Sequence, residues 1–138
     1  MAGTAYVDSS ALLKLVVREA ETSALESFFL QCDGLVASRL AELECRRAAH
    51  RASNARVRQR MDDVLESVYL LDITRAILDD AAEATPILLR SLDAIHLATA
   101  LSIGEPQLQL VTYDDRLADA ARAHGLSVVQ PGKQRLTP

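Results

Sequence analysis

Asp93 lies in the run Leu92–Ala100, LDAIHLATA, where nearly every neighbour is apolar. Leu92, Ala94, Ile95, Leu97, Ala98, Ala100 and Leu101 offer solvent little, and a helix that apolar is normally buried. Ser91 stands where its N-cap belongs. A carboxylate taken out of water is costly unless something pairs with it. Asp93 therefore calls for a cation, a metal ion or the positive end of its own helix.

Three further acids fall at predicted strand-to-helix junctions. Asp8 ends the first strand, Glu44 lies near the start of the helix after the second, and Asp114 follows the strand ending Val111-Thr112. In a parallel sheet these junctions share one edge, so four carboxylates converge if the strands are neighbours. Convergent carboxylates repel, and some must protonate or bind a cation. Hard oxygen ligands suit Mg²⁺ or Mn²⁺, which can activate water and stabilise an in-line phosphoryl displacement. The chain offers no Ser/His/Asp triad spacing, no P-loop and no GxGxxG. Metal-assisted phosphodiester hydrolysis is the chemistry this pattern suits best.

Taken singly, each acid has a plainer reading. Asp8 reads as an N-cap, Asp114 as a turn residue, and Glu44 as a solvated helix residue pairing with Arg47. Asp93 alone reads as a first-turn acid helped by the helix dipole. It is their order along the chain, together with LDAIHLATA, that favours a metal site. His96 follows Asp93 by one turn, but hard cations prefer oxygen, so a structural, hydrogen-bonded core role is expected. His50 and His124 read as surface residues.

The elements that must position these acids alternate along the chain. Thr4 to Val7 is a short apolar strand, and Ser9 and Ser10 are placed to cap the helix carrying Leu12 and Leu15. A helix from Glu21 to Leu30, a strand at Leu35–Ala37, and helices from Leu40 to Arg51 and from Arg56 to Ser67 follow, the last two separated at Ser53-Asn54. Then come a strand from Val68 to Leu71, a helix from Arg75 to Ala84 capped by Thr74, and the Asp93 helix ending before Gly104. A strand from Leu108 to Thr112, a helix from Asp115 to His124 stopped by Gly125, and a strand from Leu126 to Val129 complete the pattern. Strands separated by helices mean βαβ units. The expected fold is a three-layer α/β/α sandwich with a central parallel sheet of four to five strands. One domain is expected over 1–138, with its core at about 4–131 and a loosely ordered tail at 132–138.

Composition narrows the function classes. The 138 residues are 49% hydrophobic and contain no Trp, which favours a helix-rich globular domain. Cys32 and Cys45 form no CxxC, so neither a disulfide framework nor a zinc site is expected. No signal peptide or membrane span is read, and a cytoplasmic location fits. The net charge of -4 does not advertise nucleic-acid binding, yet arginines crowd the segment Arg46–Arg60. That run reads equally as a solvated helix face, an RNA backbone track or a surface for an acidic protein partner. It lacks aromatic residues for base stacking.

The segments VDSSALLKL, SRLAELECRRA, LDAIHLATA and LVTYDDRLADAA resemble a PIN-domain ribonuclease, and more narrowly a VapC toxin of a type II toxin–antitoxin pair. The likeness runs from Ala5 to about Pro131. It implies a Mg²⁺-dependent endoribonuclease, with Mn²⁺ as a substitute, acting on RNA through metal-activated water. It also implies a cognate VapB-type antitoxin, a homodimer, and a heterotetramer or larger assembly with the antitoxin. By motif, Asp8 matches the first metal-binding acid and Asp93 the third. Glu44, six residues after Ser38, matches the second, with Glu42 as alternate. Asp114 matches the fourth, with Asp115 as substitute. Asp8 and Asp93 are expected to touch the metal, with Glu44 and Asp114 acting through water. By position, Ser9 or Ser10 supports Asp8, Thr112 supports Asp114, and Arg116 meets the scissile phosphate.

Two other readings stand beside this one. An aspartyl-phosphate phosphatase would need a second Asp where Ser10 stands, and a receiver domain would need a Lys near Val128-Val129. A catalytically silent PIN-like scaffold binding RNA or a partner is the non-enzymatic alternative.

Overall fold

The computed structural model describes residues 3–133. Five strands, β1 (Thr4–Val7), β2 (Gly34–Ser38), β3 (Tyr69–Leu71), β4 (Gln109–Val111) and β5 (Ser127–Val129), form one parallel sheet in the order β3-β2-β1-β4-β5. Seven helices connect and flank them among the described residues. They are α1 (Ser9–Lys14), α2 (Thr22–Leu30), α3 (Arg39–Arg51), α4 (Ala55–Glu66), α5 (Arg75–Ala82), α6 (Ser91–Ser102) and α7 (Asp115–Ala123). This is the expected α/β/α arrangement, with the sheet at the upper end of the expected strand number.

The central strand shows why the layers form. Ala5, Tyr6 and Val7 are all fully buried, as both faces of a parallel strand must be. Ala5 and Val7 join an apolar cluster with Leu12, Leu25, Cys45 and Met61. Tyr6, pointing the other way, joins Leu97, Leu110, Leu117 and Ala121. One strand thus glues two helical layers through its period-two alternation.

From β1 the chain moves outward through β2 and β3, then crosses back to place β4 on the other side of β1. The crevice of an open α/β sheet opens where strand order reverses in this way, beyond the carboxyl ends of the strands. Here that point lies between β1 and β4, whose register pairs Val7 with Val111. Asp8 and Thr112 are the next residues on each side.

Local capping departs from expectation in two places. Asp8 itself caps α1, its side chain accepting from the Ala11 N–H, so neither Ser9 nor Ser10 has that role. Arg90, not Ser91, is the N-cap of α6, and it contributes no side-chain cap bond. Ser91 is already helical, which leaves the α6 N–H groups without an attached oxygen. The Asn54 and Thr74 side chains do cap α4 and α5. Gly125, at φ 83°, closes α7 in a Schellman motif, with its N–H bonded to Arg122 O and that of Leu126 to Ala121 O.

The tail expected to be loosely ordered falls outside the described residues from 134 onward. At the end of the core, Tyr113 Oη donates to Pro131 O at 2.7 Å, and Lys133 pairs with Asp115. Gly132, at φ 78°, packs so closely on α2 that an added Cβ would lie 3.0 Å from Ala24 Cβ.

Candidate active site

Asp8 sits at the topological switch point and is 4% exposed. Its backbone N–H bonds Val111 O at 3.2 Å, which joins the strand end to β4. Ser10 Oγ donates to Asp8 Oδ1 at 2.6 Å, and the buried Thr112 Oγ1 donates to Oδ2 at 2.5 Å. The supporting serine is therefore Ser10 rather than Ser9. Ser10 Oγ also accepts from the Tyr113 N–H, and Thr112 Oγ1 accepts from the Asp114 N–H at 3.0 Å. Two hydroxyls thus lock the β1 and β4 ends to each other and to one carboxylate.

Asp114 is the N-cap of α7. Its Oδ1 accepts from the N–H groups of Arg116 and Leu117, and Oδ2 is left over. Asp115 faces away: it is exposed and pairs with Lys133, whose ammonium holds its carboxyl below the usual range.

Asp93 lies in the first turn of α6 and is half-buried. The helix is not buried all round as its composition suggests. Its first turn emerges, with Leu92 at 50% exposure, while His96 to Ala100 is enclosed. Burial raises the Asp93 carboxyl above its ordinary value, and the negative charges of Asp114 and then Asp8 raise it further. Burial likewise raises Asp8, against the hydrogen bonds of Ser10 and Thr112.

Glu44 reaches the same region from α3. Its Oε1 is 3.0 Å from His96 Nε2, and His96 Nδ1 is 2.8 Å from Tyr6 Oη. His96 is 3% exposed and has the structural role expected of it, but it also ties an acid of α3 to α6. Glu42, two residues earlier, points to the opposite side of α3 and is engaged by Arg39 and Arg46. Arg46 is further paired with Asp62, so part of the arginine-rich segment is committed to contacts within the chain.

The negative potential reaches beyond the acids. Burial and then the charges of Glu44 and Asp8 push the Cys45 thiol up to about 12. Tyr113 is pushed to about 12 by burial, Glu21 and Asp8. Among the described residues, no Lys or Arg forms an ion pair with Asp8, Asp93 or Asp114.

The chemistry of this set fits a hard divalent cation. Every unengaged donor in it is a carboxylate oxygen, and His96 is occupied on both ring nitrogens. Among the described residues, no three His, Cys, Asp or Glu side chains close into a cage around a point. Mg²⁺ does not ask for one: it is commonly held by one or two carboxylates, with waters and substrate phosphate filling its octahedron.

A model of the PIN domain matches residues 5–123, which contain all four acids. The chain belongs to the PIN-domain family. It is 42% identical to Ribonuclease VapC46 of Mycobacterium tuberculosis over 127 residues, covering 91% of this chain and 96% of that protein. It is 41% identical to Ribonuclease VapC35 of the same species over 134 residues, covering 94% and 98%. Within the family it stands with the VapC proteins. Among solved structures, its PIN fold is similar to that of a toxin–antitoxin complex from Klebsiella pneumoniae, with a TM-score of 0.71 at 24% identity, covering 92% of this chain and 97% of that one. It is also similar to VapC20 of M. tuberculosis, a sarcin–ricin-loop-cleaving toxin, with a TM-score of 0.72 at 16% identity, covering 92% and 99%.

Proposed function

We propose that this PIN domain is a divalent-cation-dependent endoribonuclease and the toxin of a toxin–antitoxin pair. The observation that carries the proposal is the placement of Asp8, Asp93 and Asp114 at the β1/β4 switch point, where burial raises the carboxyls of Asp8 and Asp93 and, among the described residues, no Lys or Arg forms an ion pair with any of the three. Relatives named ribonucleases at 42% and 41% identity supply the substrate class. They also weigh against a catalytically silent scaffold.

In this reading Asp8 and Asp93 would hold Mg²⁺ or Mn²⁺, with Glu44 and Asp114 acting through water. When bound, the cation supplies positive charge to the phosphate and lowers the pKa of water. The remaining work belongs to the chain. Ser10 and Thr112 hold both oxygens of Asp8 in place, and His96 fixes Glu44. Arg116, in the first turn of α7, donates to the phosphate, and the positive end of that helix favours the same anion. Hydrolysis joins the oxygen of water to phosphorus, breaks one ester P–O bond, and delivers the proton to the leaving ribose oxygen.

The partners follow from the same reading. An antitoxin of the VapB type is proposed to hold the enzyme silent, as the toxin–antitoxin complexes among the structural relatives suggest. A homodimer is proposed beside it, to be read from the mass of the protein in solution. No helix among the described residues is long and apolar enough to cross a membrane. A protein acting on cellular RNA would work in the cytoplasm.

The test is direct. The purified protein is incubated with total RNA and Mg²⁺ or Mn²⁺, with and without EDTA, alongside Asp93→Asn. Cleavage that needs the metal and is lost in the variant is expected. Equal cleavage by Asp93→Asn would overturn the mechanism.

A further inference from the structure

Beside the acids lies a cleft of about 820 Å³, of whose lining the steps above use Arg116 alone. One wall is the connection between α5 and α6, carrying Leu88, Leu89 and Arg90. The other is the exposed side of α7, carrying Arg116, Ala123 and His124. Its position relative to the site is fixed by sequence: Arg90 precedes Asp93 by three residues, and Arg116 follows Asp114 by two.

Three observations say what the cleft takes. First, its two arginines are uncommitted. Arg39, Arg46, Arg75 and Arg122 each engage a carboxylate, whereas among the described residues Arg90 and Arg116 engage none. Asp119, the acid of the cleft, is itself engaged by Arg122 at 3.5 Å. Second, behind the arginines the walls are aliphatic, and the loop leaves Ile87 and Leu88 each 91% exposed. Third, His124 is fixed there: its Nε2 is 2.9 Å from Thr85 O. Cations toward the acids, an apolar slot behind them and a polar ring on its wall together match a nucleotide.

We infer that this cleft binds the RNA nucleotide adjacent to the scissile phosphate, with that phosphate between Arg90 and Arg116 and the nucleotide's base in the aliphatic slot. The inference rests on the ribonuclease reading and adds a specificity pocket to it. Guanidinium groups match phosphate geometry, and an unstacked base needs an apolar surface for its face and a polar group for its edge. The opening of the α5–α6 connection toward α7 thus sets which sequence is cut, while the carboxylates perform the cut.

Two measurements keep this inference separate from the reading beneath it. One is cleavage of a random-sequence RNA pool in Mn²⁺, with sequencing of the cut ends. The other is fluorescence anisotropy of a labelled single-stranded RNA hexanucleotide in EDTA, which needs no catalysis. The variants are Arg90→Ala, Leu88→Ala and Ala123→Phe, all at exposed positions, and each is checked for an unchanged melting temperature. Arg90→Ala should weaken hexanucleotide binding about tenfold, the size expected for one charge-assisted contact. Leu88→Ala and Ala123→Phe should flatten the base preference next to the cut. Wild-type cleavage with identical end distributions and binding in all three variants would overturn the pocket and leave the ribonuclease reading standing. If the wild type cleaves no RNA, the ribonuclease reading falls. The pocket then survives if Arg90→Ala weakens hexanucleotide binding and falls if it does not.

Discussion

His96 Nε2 stands 3.0 Å from Glu44 Oε1, while the other nitrogen of the same buried ring is 2.8 Å from Tyr6 Oη. A carboxylate oxygen accepts, so Nε2 donates to Glu44, and the contact of Nδ1 with the phenol holds the ring from its other side. A strand, α6 and α3 are thereby joined by two hydrogen bonds that end on one acid of the site.

This relationship predicts a graded loss. Groups that orient metal-binding acids are worth about ten- to a hundredfold in activity or metal affinity. His96→Leu should lower kcat/KM by that much and weaken Mn²⁺ binding measured by calorimetry. His96→Gln, whose amide N–H reaches where Nε2 was, should recover part of both. A purely structural histidine would lower the melting temperature in both variants and leave Mn²⁺ affinity in the folded fraction unchanged.

The acids themselves should divide into two groups. Asp8→Asn, Glu44→Gln, Asp93→Asn and Asp114→Asn are expected to reduce cleavage at least about a hundredfold, as loss of transition-state charge stabilisation does. Asp115→Asn and Glu42→Gln should stay within about twofold, because those carboxylates face Lys133 and the arginines of α3. Asp114→Asn is the sharpest of the set. Asn caps helices as well as Asp does, so α7 should keep its stability while activity is lost. Rates on a short RNA substrate, read beside thermal melts, separate the two effects.

How far the sequence spoke can be judged from these same residues. Apolar strands ending in Asp8 and Thr112 were legible because a buried parallel strand must be apolar and its end must turn polar. That Asp8 and Asp114 share one edge of the sheet followed from reading the sheet as parallel. Glu44 and Glu42 could not be separated by spacing alone, since two residues apart on a helix means nearly opposite faces and only the tertiary fold says which faces inward. The Tyr6–His96–Glu44 chain joins residues 90 and 52 positions apart, and no local pattern encodes it. The cap of α6 was misplaced by one residue because Ser91 has the right chemistry, while the chain turns into the helix at Arg90.

Thr112 offers a stability test inside the site. Its hydroxyl is buried, donates to Asp8 Oδ2 and accepts from the Asp114 N–H. Thr112→Val keeps the shape and leaves both partners unsatisfied. Such a loss costs about 1–3 kcal/mol, readable as a lower urea midpoint with an unchanged slope. Thr112→Ser keeps the hydroxyl and should lose much less. A Val variant as stable as the wild type would mean that the bond to Asp8 contributes nothing.

The raised carboxyls fix the sign of a pH effect. Asp8 and Asp93 bind a proton more tightly in the folded protein than their ordinary value of about 3.9 in an open chain. The folded state therefore holds more protons than the unfolded state across the window from that value up to the raised one, and stability falls as pH rises through it. The exposed Asp115 and Glu21, held low by Lys133 and Lys14, act in the opposite sense, but only as pH drops below the ordinary range. In EDTA the melting temperature should thus rise as the pH is lowered from 7 toward the ordinary carboxylate range. Millimolar Mn²⁺ or Mg²⁺ should remove the repulsion at neutral pH and raise the melting temperature there by more than at pH 5, where protons compete for the same oxygens. Scanning calorimetry at both pH values, with metal and with EDTA, reads all four quantities. A metal-induced shift that is larger at pH 5 than at pH 7 would place the cation somewhere other than on these carboxylates.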